Sequence, residues 1–244
     1  VIVGSDVPGG SGLGASSALT ANLVHTIAKL KNQKLTKSKE AETAFHIGRN
    51  LLKMPIGKQD EYVAAFGGLN FLKFEKNKVN VKKIPISTSS FLELEKNLLL
   101  FFIGDTRDSS KILSEQIKRI KKRDKEIIES LNHVKNFAQD MYKSFAKNDI
   151  TKVGDLLHEG WLRKKKFVKG VSNSKIDKIY EIAINSGAIG GKLTGAGGGG
   201  HMLFYCEQRK QKKVIDRLTK LKLKHIEFNF EKKGSRTIDV NKII

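Results

Sequence analysis

With 244 residues the chain can form one large domain or two modest ones, each with a buried core. Its single cysteine, Cys206, excludes an internal disulfide and suits a reducing cytoplasm, and apolar runs such as Leu98 to Ile103 are too short to cross a bilayer; no signal peptide is expected. Lys and Arg number 46 against 25 Asp and Glu, a formal charge of +21 that favours anionic partners.

In chain order, Val1-Ile2-Val3 reads as a strand feeding a glycine-rich turn, and because the chain opens without methionine it is expected to be a fragment of something longer. The turn, Pro8-Gly9-Gly10-Ser11-Gly12-Leu13-Gly14-Ala15-Ser16-Ser17, is the most informative stretch of the sequence. Its glycines lack the Cβ atoms that would hold an anion away from the backbone, and they permit the positive φ that turns successive N–H groups inward. The helix that follows adds unpaired amides and the positive end of its dipole, and Ser16 and Ser17 place two hydroxyls in its first turn. The pattern is a phosphate cradle of neither common type. A P-loop needs Gly-Lys-Ser/Thr where this chain has Gly14-Ala15, and a dinucleotide fingerprint needs Gly-x-Gly-x-x-Gly where it has Gly10-x-Gly12-x-Gly14. A strand-to-helix turn without a ligand is the plain alternative.

Leu19, Leu23, Ile27 and Leu30 continue that helix to about Lys31 to Lys34, and a second helix is expected to start near Thr36 to Lys39, to carry Ala41, Ala44 and Phe45, and to be stopped by Pro55 and Gly57. Lys58 to Tyr62 opens a short helical or extended segment ending at Gly67-Gly68, followed by a hairpin around Lys76-Asn77-Lys78. Leu98 to Ile103 predicts a central strand ending at Gly104-Asp105, and Lys111 to Lys147 predicts a pair of long amphipathic helices or one interrupted helix. Helices around Ile150 to Lys165 and Ser174 to Ser186 precede a glycine-rich loop from Gly187 to Gly200 and a strand at His201 to Cys206. A basic helix at Arg209 to Leu221, a strand at His225 to Phe230, a Gly234-Ser235 turn and a strand near Arg236 to Val240 complete the chain. Helices and strands interleave without regular βαβ order, which predicts an α+β fold, with a domain boundary near Asn148-Asp149.

The second glycine cluster, Gly190 to Gly200, suggests that two separated glycine loops share one site. Together with Pro8-x-x-x-Gly12-Leu13-Gly14-x-Ser16-Ser17 and Gly57-x-x-Asp60 ahead of Gly67-Gly68, the sequence resembles the GHMP small-molecule kinases. Lys58 to Gly68, then Gly104-x-x-Arg107-x-Ser109, then Gly160-Trp161 look most like the members that phosphorylate D-glycero-D-manno-heptose 7-phosphate at C1.

The resemblance implies a two-domain α+β fold. Residues 1–148 would be an N-terminal mixed α/β domain lacking its first strands, residues 149–244 a ferredoxin-like α+β domain, and the nucleotide would lie in a cleft between them. ATP and Mg2+ would be the cofactors and a sugar phosphate the substrate, in a cytoplasmic enzyme, monomeric or homodimeric, without nucleic-acid or membrane partners. By the same resemblance Pro8, Gly9, Gly10, Ser11, Gly12, Leu13, Gly14, Ala15, Ser16 and Ser17 would bind ATP, with Ser16 near magnesium, and Asp60 would face the substrate hydroxyl as base or orienter. Gly195, Ala196, Gly197 and Gly198 would border substrate and phosphate. Arg107, whose guanidinium can grip a phosphate bidentately, and Lys192 are the chosen substrate ligands, while Trp161 suits core packing better than sugar stacking. His46, His158 and His201 all suit packing positions, and no histidine pair has metal-ligand spacing.

Two departures stand out. Gly48 occupies the place where the family usually carries a glutamate that helps bind magnesium, and the family's N-terminal motif is missing. The alternatives are therefore another substrate of the superfamily, such as galactose, fucose or mevalonate, or an ATP-binding relative with impaired catalysis. A basic nucleic-acid-binding protein would leave the glycine motifs unexplained.

Overall fold

The computed structural model describes residues 2–7, 9–104 and 109–238, so Pro8 and Arg107 lie outside the described residues. The chain divides into two compact units, one built on Gly14–Lys83 with both terminal segments, the other on Gly10–Leu13 and Ile84–Asn229. The boundary expected at Asn148-Asp149 falls inside the second unit, where the helices on either side of it pack together. Of the strand expected at Val1-Ile2-Val3, Val1 lies outside the described residues and Ile2 and Val3 have no regular secondary structure.

The first unit holds helices α1 (Ala15–Leu30), α2 (Lys37–His46) and α3 (Gln59–Phe66) and the antiparallel hairpin β1 (Asn70–Phe74) and β2 (Val79–Lys83). Ala21, Ala41 and Ala65 are 0% exposed, and these small side chains let the three helices approach closely. The Thr36 hydroxyl caps α2 by accepting from the Lys39 amide, as its place in sequence predicts. The helix does not stop at His46 but widens into a π-helical turn over Ile47–Leu51. Gly67, at φ +63°, ends α3, and the chain's last described segment lies across it: the Gly68 amide donates to the Glu231 carbonyl at 2.6 Å and the Ser235 amide to the Ala64 carbonyl at 3.0 Å. Residues 236–238 make no strand.

The second unit is built on a four-stranded antiparallel sheet of β3 (Leu98–Gly104), β4 (Gly190–Leu193), β5 (Gly200–Tyr205) and β6 (Lys224–Ile226), ordered β4-β5-β3-β6. Numbered within the unit this is 4-1-3-2, the ferredoxin-like order. The Leu98 to Ile103 run takes the central position its unbroken apolarity predicts, with Phe101 fully buried. Helices α4 (Thr88–Lys96), α5 (Ser109–Lys121), α6 (Lys125–Ala146), α7 (Val153–Lys164), α8 (Ser174–Ser186) and α9 (Gln208–Lys220) complete it. Trp161, Phe204, Met202 and Leu193 join Phe101 at 0% exposure, so Trp161 is a core residue.

Part of the expected glycine loop is strand. A Cβ at Gly190 would overlap the Gly154 carbonyl of α7, and one at Gly191 would lie 2.5 Å from the Leu203 carbonyl oxygen of β5, so Gly190 serves a close helix-on-strand crossing and Gly191 a close approach to the neighbouring strand. The strand expected at His225 to Phe230 is confined to Lys224–Ile226.

Candidate active site

Gly10, Gly12 and Gly14 take φ of +73°, +78° and +72°, so the turn alternates through left-handed backbone that only glycine adopts without strain. Within the second unit the turn is seated on the second glycine loop. A Cβ at Gly195 would lie 2.8 Å from the Gly12 Cα, one at Gly12 would lie 3.0 Å from Thr194 Oγ1, and one at Gly200 would overlap the Ser11 carbonyl oxygen. At Gly195 and Gly200 the two backbones meet directly. The Nδ1 of buried His201 lies 2.8 Å from that same Ser11 carbonyl, and since a carbonyl only accepts, Nδ1 carries the proton. Lys164 of α7 donates to the carbonyls of Leu193 at 3.2 Å and Gly195 at 2.5 Å, which holds the opening of the second loop. The Gly198 amide donates to the Val171 carbonyl at 2.9 Å, holding its middle.

In the first unit, α1 starts at Gly14 with no side-chain cap, and helix geometry leaves the amides of its first turn without intrahelical acceptors. Asp60, exposed in the first turn of α3, is beside this end: a Cβ at Gly14 would lie 3.8 Å from Asp60 Oδ2. The next residue, Glu61, is 2% exposed; its Oε1 accepts from Ser17 Oγ at 3.0 Å and its Oε2 is buried with no hydrogen-bond partner. Burial, aided by the like charge of Asp60, pushes the Glu61 carboxyl up against the opposing bonds from its own backbone amide and Ser17. Just before Asp60, Lys58 Nζ lies 2.8 Å from both oxygens of Glu42, which also accepts from the Tyr62 hydroxyl at 2.7 Å. Burial resists ionisation of Glu42, but these two donors and the charges of Lys58 and Lys39 outweigh it and hold its carboxyl below the ordinary value. Lys58 is thereby committed to a structural pair.

Among the described residues no group of three or more His, Cys, Asp or Glu could hold a metal. Among the exposed side chains in the first turns of α1 and α3, the hydroxyl and carboxylate donors are Ser16 and Asp60. That sparse hard set fits magnesium, which keeps waters and shares phosphate oxygens with one or two protein ligands. Gly48 adds no donor, and a Cβ there would lie 2.5 Å from Ile56 Cδ1, the tip of a side chain that would have to shift.

The structure therefore gathers Ser11 and Gly12 with Gly195 and Gly200, Gly14 with Asp60, and Ser17 with Glu61. Lys192 lies in β4, paired with Leu203, while Ala196 packs against the core and Gly9 has open space where a Cβ would be. Leu13 and Ser16 are exposed. Three contributors escape sequence reading: His201, which reads as a packing histidine; Lys164, one cation among many; and Glu61, hidden behind its catalytic-looking neighbour. The adjacency of His201 to a glycine run was the one available signal.

The GHMP kinases N terminal domain matches residues 1–68 and the GHMP kinases C terminal domain residues 141–223. A Campylobacter jejuni protein named D-glycero-alpha-D-manno-heptose 7-phosphate kinase is 36% identical over 234 residues, 96% of this chain and 68% of that protein. A crystal structure described as a D-glycero-D-manno-heptose 1-phosphate kinase from Bacteroides thetaiotaomicron superposes with a TM-score of 0.74 at 27% identity, covering 94% of this chain and 64% of that one. A mevalonate kinase of Thermococcus onnurineus is 29% identical over 227 residues, 90% of this chain and 63% of that protein. The chain thus spans about two thirds of the length of these relatives. With both domain families matched in order, and a relative of that identity along nearly its whole length, the chain belongs to the GHMP kinases.

Proposed function

We propose that this chain is the catalytic part of an ATP- and magnesium-dependent kinase that phosphorylates the C1 hydroxyl of a seven-carbon sugar 7-phosphate. The observation that carries the reading is the placement of Asp60 against the glycine that opens α1, one acid beside one phosphate cradle. The likeness to the Campylobacter heptose 7-phosphate kinase supports the choice of sugar.

Phosphoryl transfer asks the protein mainly for positioning and charge neutralisation. The amides along Gly9 to Ser17 hold the nucleotide phosphates, the first turn of α1 adding its dipole. The Asp60 carboxylate orients the sugar hydroxyl and takes its proton as the oxygen bonds to the γ-phosphorus and the bond to the β–γ bridging oxygen breaks. Magnesium, when bound, would neutralise phosphate charge, with Ser16 as its protein ligand. Arg107 and Lys192 are the proposed grips on the sugar's own phosphate. The strongly positive chain draws both anionic substrates in.

The test is ADP release with magnesium, comparing heptose 7-phosphate with galactose and mevalonate. Heptose-dependent turnover is expected, and Asp60→Asn should lower kcat by about a hundredfold or more while ATP still binds. The absent carboxylate at Gly48 favours a second reading, an ATP-binding relative with impaired catalysis. Nucleotide binding without turnover on any of the three sugars or alcohols would establish it in place of the first.

A further inference from the structure

The peptide between Ser11 and Gly12 lies in the middle of the first glycine turn, and its orientation decides which of its two polar groups meets a bound anion. No peptide among the described residues is cis, and in a trans peptide the carbonyl and the amide point in opposite directions. Turned one way, the peptide offers the Gly12 N–H to a phosphate; turned the other way, it offers the Ser11 carbonyl, which repels one. The turn does not make this choice alone. Gly12 takes φ +78°, and glycine adopts positive and negative φ about equally well, so a flip of this peptide meets no penalty from a Cβ there.

The choice is made from β5. His201 Nδ1 donates to the Ser11 carbonyl at 2.8 Å, with His201 4% and Ser11 1% exposed, and the Gly12 amide donates to no acceptor among the described residues. The ring is held as firmly as the inner strand that carries it. The His201 carbonyl accepts from the Thr194 amide at 2.9 Å and from its hydroxyl at 3.0 Å, the residue is paired with Phe102 of β3, and the two rings pack with centroids 5.1 Å apart. Gly200 leaves the Ser11 carbonyl its seat, since a Cβ there would overlap that oxygen. Neutral or protonated, a ring with its proton on Nδ1 donates the same bond, so the arrangement depends on no titration. We propose that His201 is a positioning residue that draws the Ser11 carbonyl into the core and so turns the Gly12 amide outward as a donor to the nucleotide phosphates. The inference rests on the kinase reading for the identity of that anion.

The experiment measures the Kd of adenylyl-imidodiphosphate, a non-hydrolysable ATP analogue, the KM values for ATP and heptose 7-phosphate, and Tm, in wild type, His201→Phe and His201→Asn. Phenylalanine keeps a ring against Phe102 and loses the donor, whereas the asparagine amide places an N–H near the position of Nδ1. His201→Phe is expected to raise the analogue Kd and the KM for ATP about fivefold, because an unpinned peptide lowers the fraction of molecules that present the amide, and to leave the KM for the sugar within about twofold. His201→Asn should return the nucleotide constants to within about twofold of wild type. A lower Tm in His201→Phe with unchanged nucleotide affinity would overturn the proposal and leave His201 a packing residue. Equal losses in the two variants, or a loss carried by the KM for the sugar, would overturn it too. Analogue binding without turnover on any sugar removes the kinase reading while the analogue Kd still decides His201; a wild type that does not bind the analogue overturns both. If His201→Phe does not fold, nitrogen NMR of the wild type decides: a proton on Nδ1 and a Gly12 amide resonance that moves on adding the analogue are expected, and a bare Nδ1 or an unmoved Gly12 amide would overturn the proposal.

Discussion

Glu40 and Glu61 sit in the same small helical unit and are equally buried, at 2% exposure, yet their surroundings push them in opposite directions. Both feel desolvation first. At Glu40 it is outweighed: His25 Nδ1 lies 2.7 Å from one oxygen, Ser235 Oγ donates to the other at 2.7 Å, and Lys37 adds its charge, so the carboxyl is held below its ordinary value. At Glu61 desolvation prevails, because Ser17 is its one side-chain donor and the nearby charge is Asp60, so the carboxyl is raised. The number and sign of partners, not depth, decide what a buried acid does. Glu40 is a structural anion, fastening the C-terminal segment to α1 and α2; Glu61 belongs to the candidate active site.

The largest expected consequence is in stability. Glu40→Ala strands His25, Lys37 and Ser235 at once and should cost about 3 kcal/mol in chemical unfolding, whereas Glu61→Gln should cost little near neutral pH. If Glu40→Ala is tolerated as well as Glu61→Gln, the contrast between the two acids collapses. The pH dependence sharpens it, because the signs differ. From the common reference of 4.5, the stabilisation from Glu40 is present above that value and is lost as pH falls through its lowered native pKa. That from Glu61 is present below the reference and is lost as pH rises through its raised native pKa. Unfolding profiles should therefore show Glu40→Gln removing part of the acid limb and Glu61→Gln part of the limb on the alkaline side of the reference.

Much of this was legible in the sequence, in particular places. The glycines at 10, 12 and 14 announced a left-handed turn because no other residue takes that backbone cheaply, and the structure gives all three positive φ. The apolar run at Leu98 to Ile103 announced a central strand for a similar reason: both its faces must be covered. What escaped was set by tertiary contact. Gly190 and Gly191 look like loop and are strand, since their glycine character answers to α7 and β5 rather than to a turn. The short helix α4 carries only Leu94 as a buried residue, too little apolar periodicity to be seen, although its Ser87 cap is conventional. His201, Lys164 and Glu61 contribute through partners up to 190 positions away, which no local pattern encodes.

The smallest expected effect tests whether the fastening of the C-terminal segment is distributed or rests on one bond. Ser235 is 2% exposed, and its hydroxyl donates to Glu40 while accepting from Lys37 at 3.0 Å. Its backbone also contributes, the amide donating to Ala64 and the carbonyl accepting from Lys37, and neither bond is lost on substitution. Ser235→Ala removes the hydroxyl alone and leaves Glu40 with His25 and Lys37, so it should cost about 1 kcal/mol, roughly a third of the Glu40→Ala loss. A double-mutant cycle between the two positions should then show coupling of about the same size, since the bond removed is shared. Additive losses would mean that the segment is held by its backbone and by the Gly67–Gly234 approach, with Glu40 acting on α1 and α2 alone. In that case the opposite behaviour of the two acids would be a property of the helices themselves, independent of what the end of the chain lays across them.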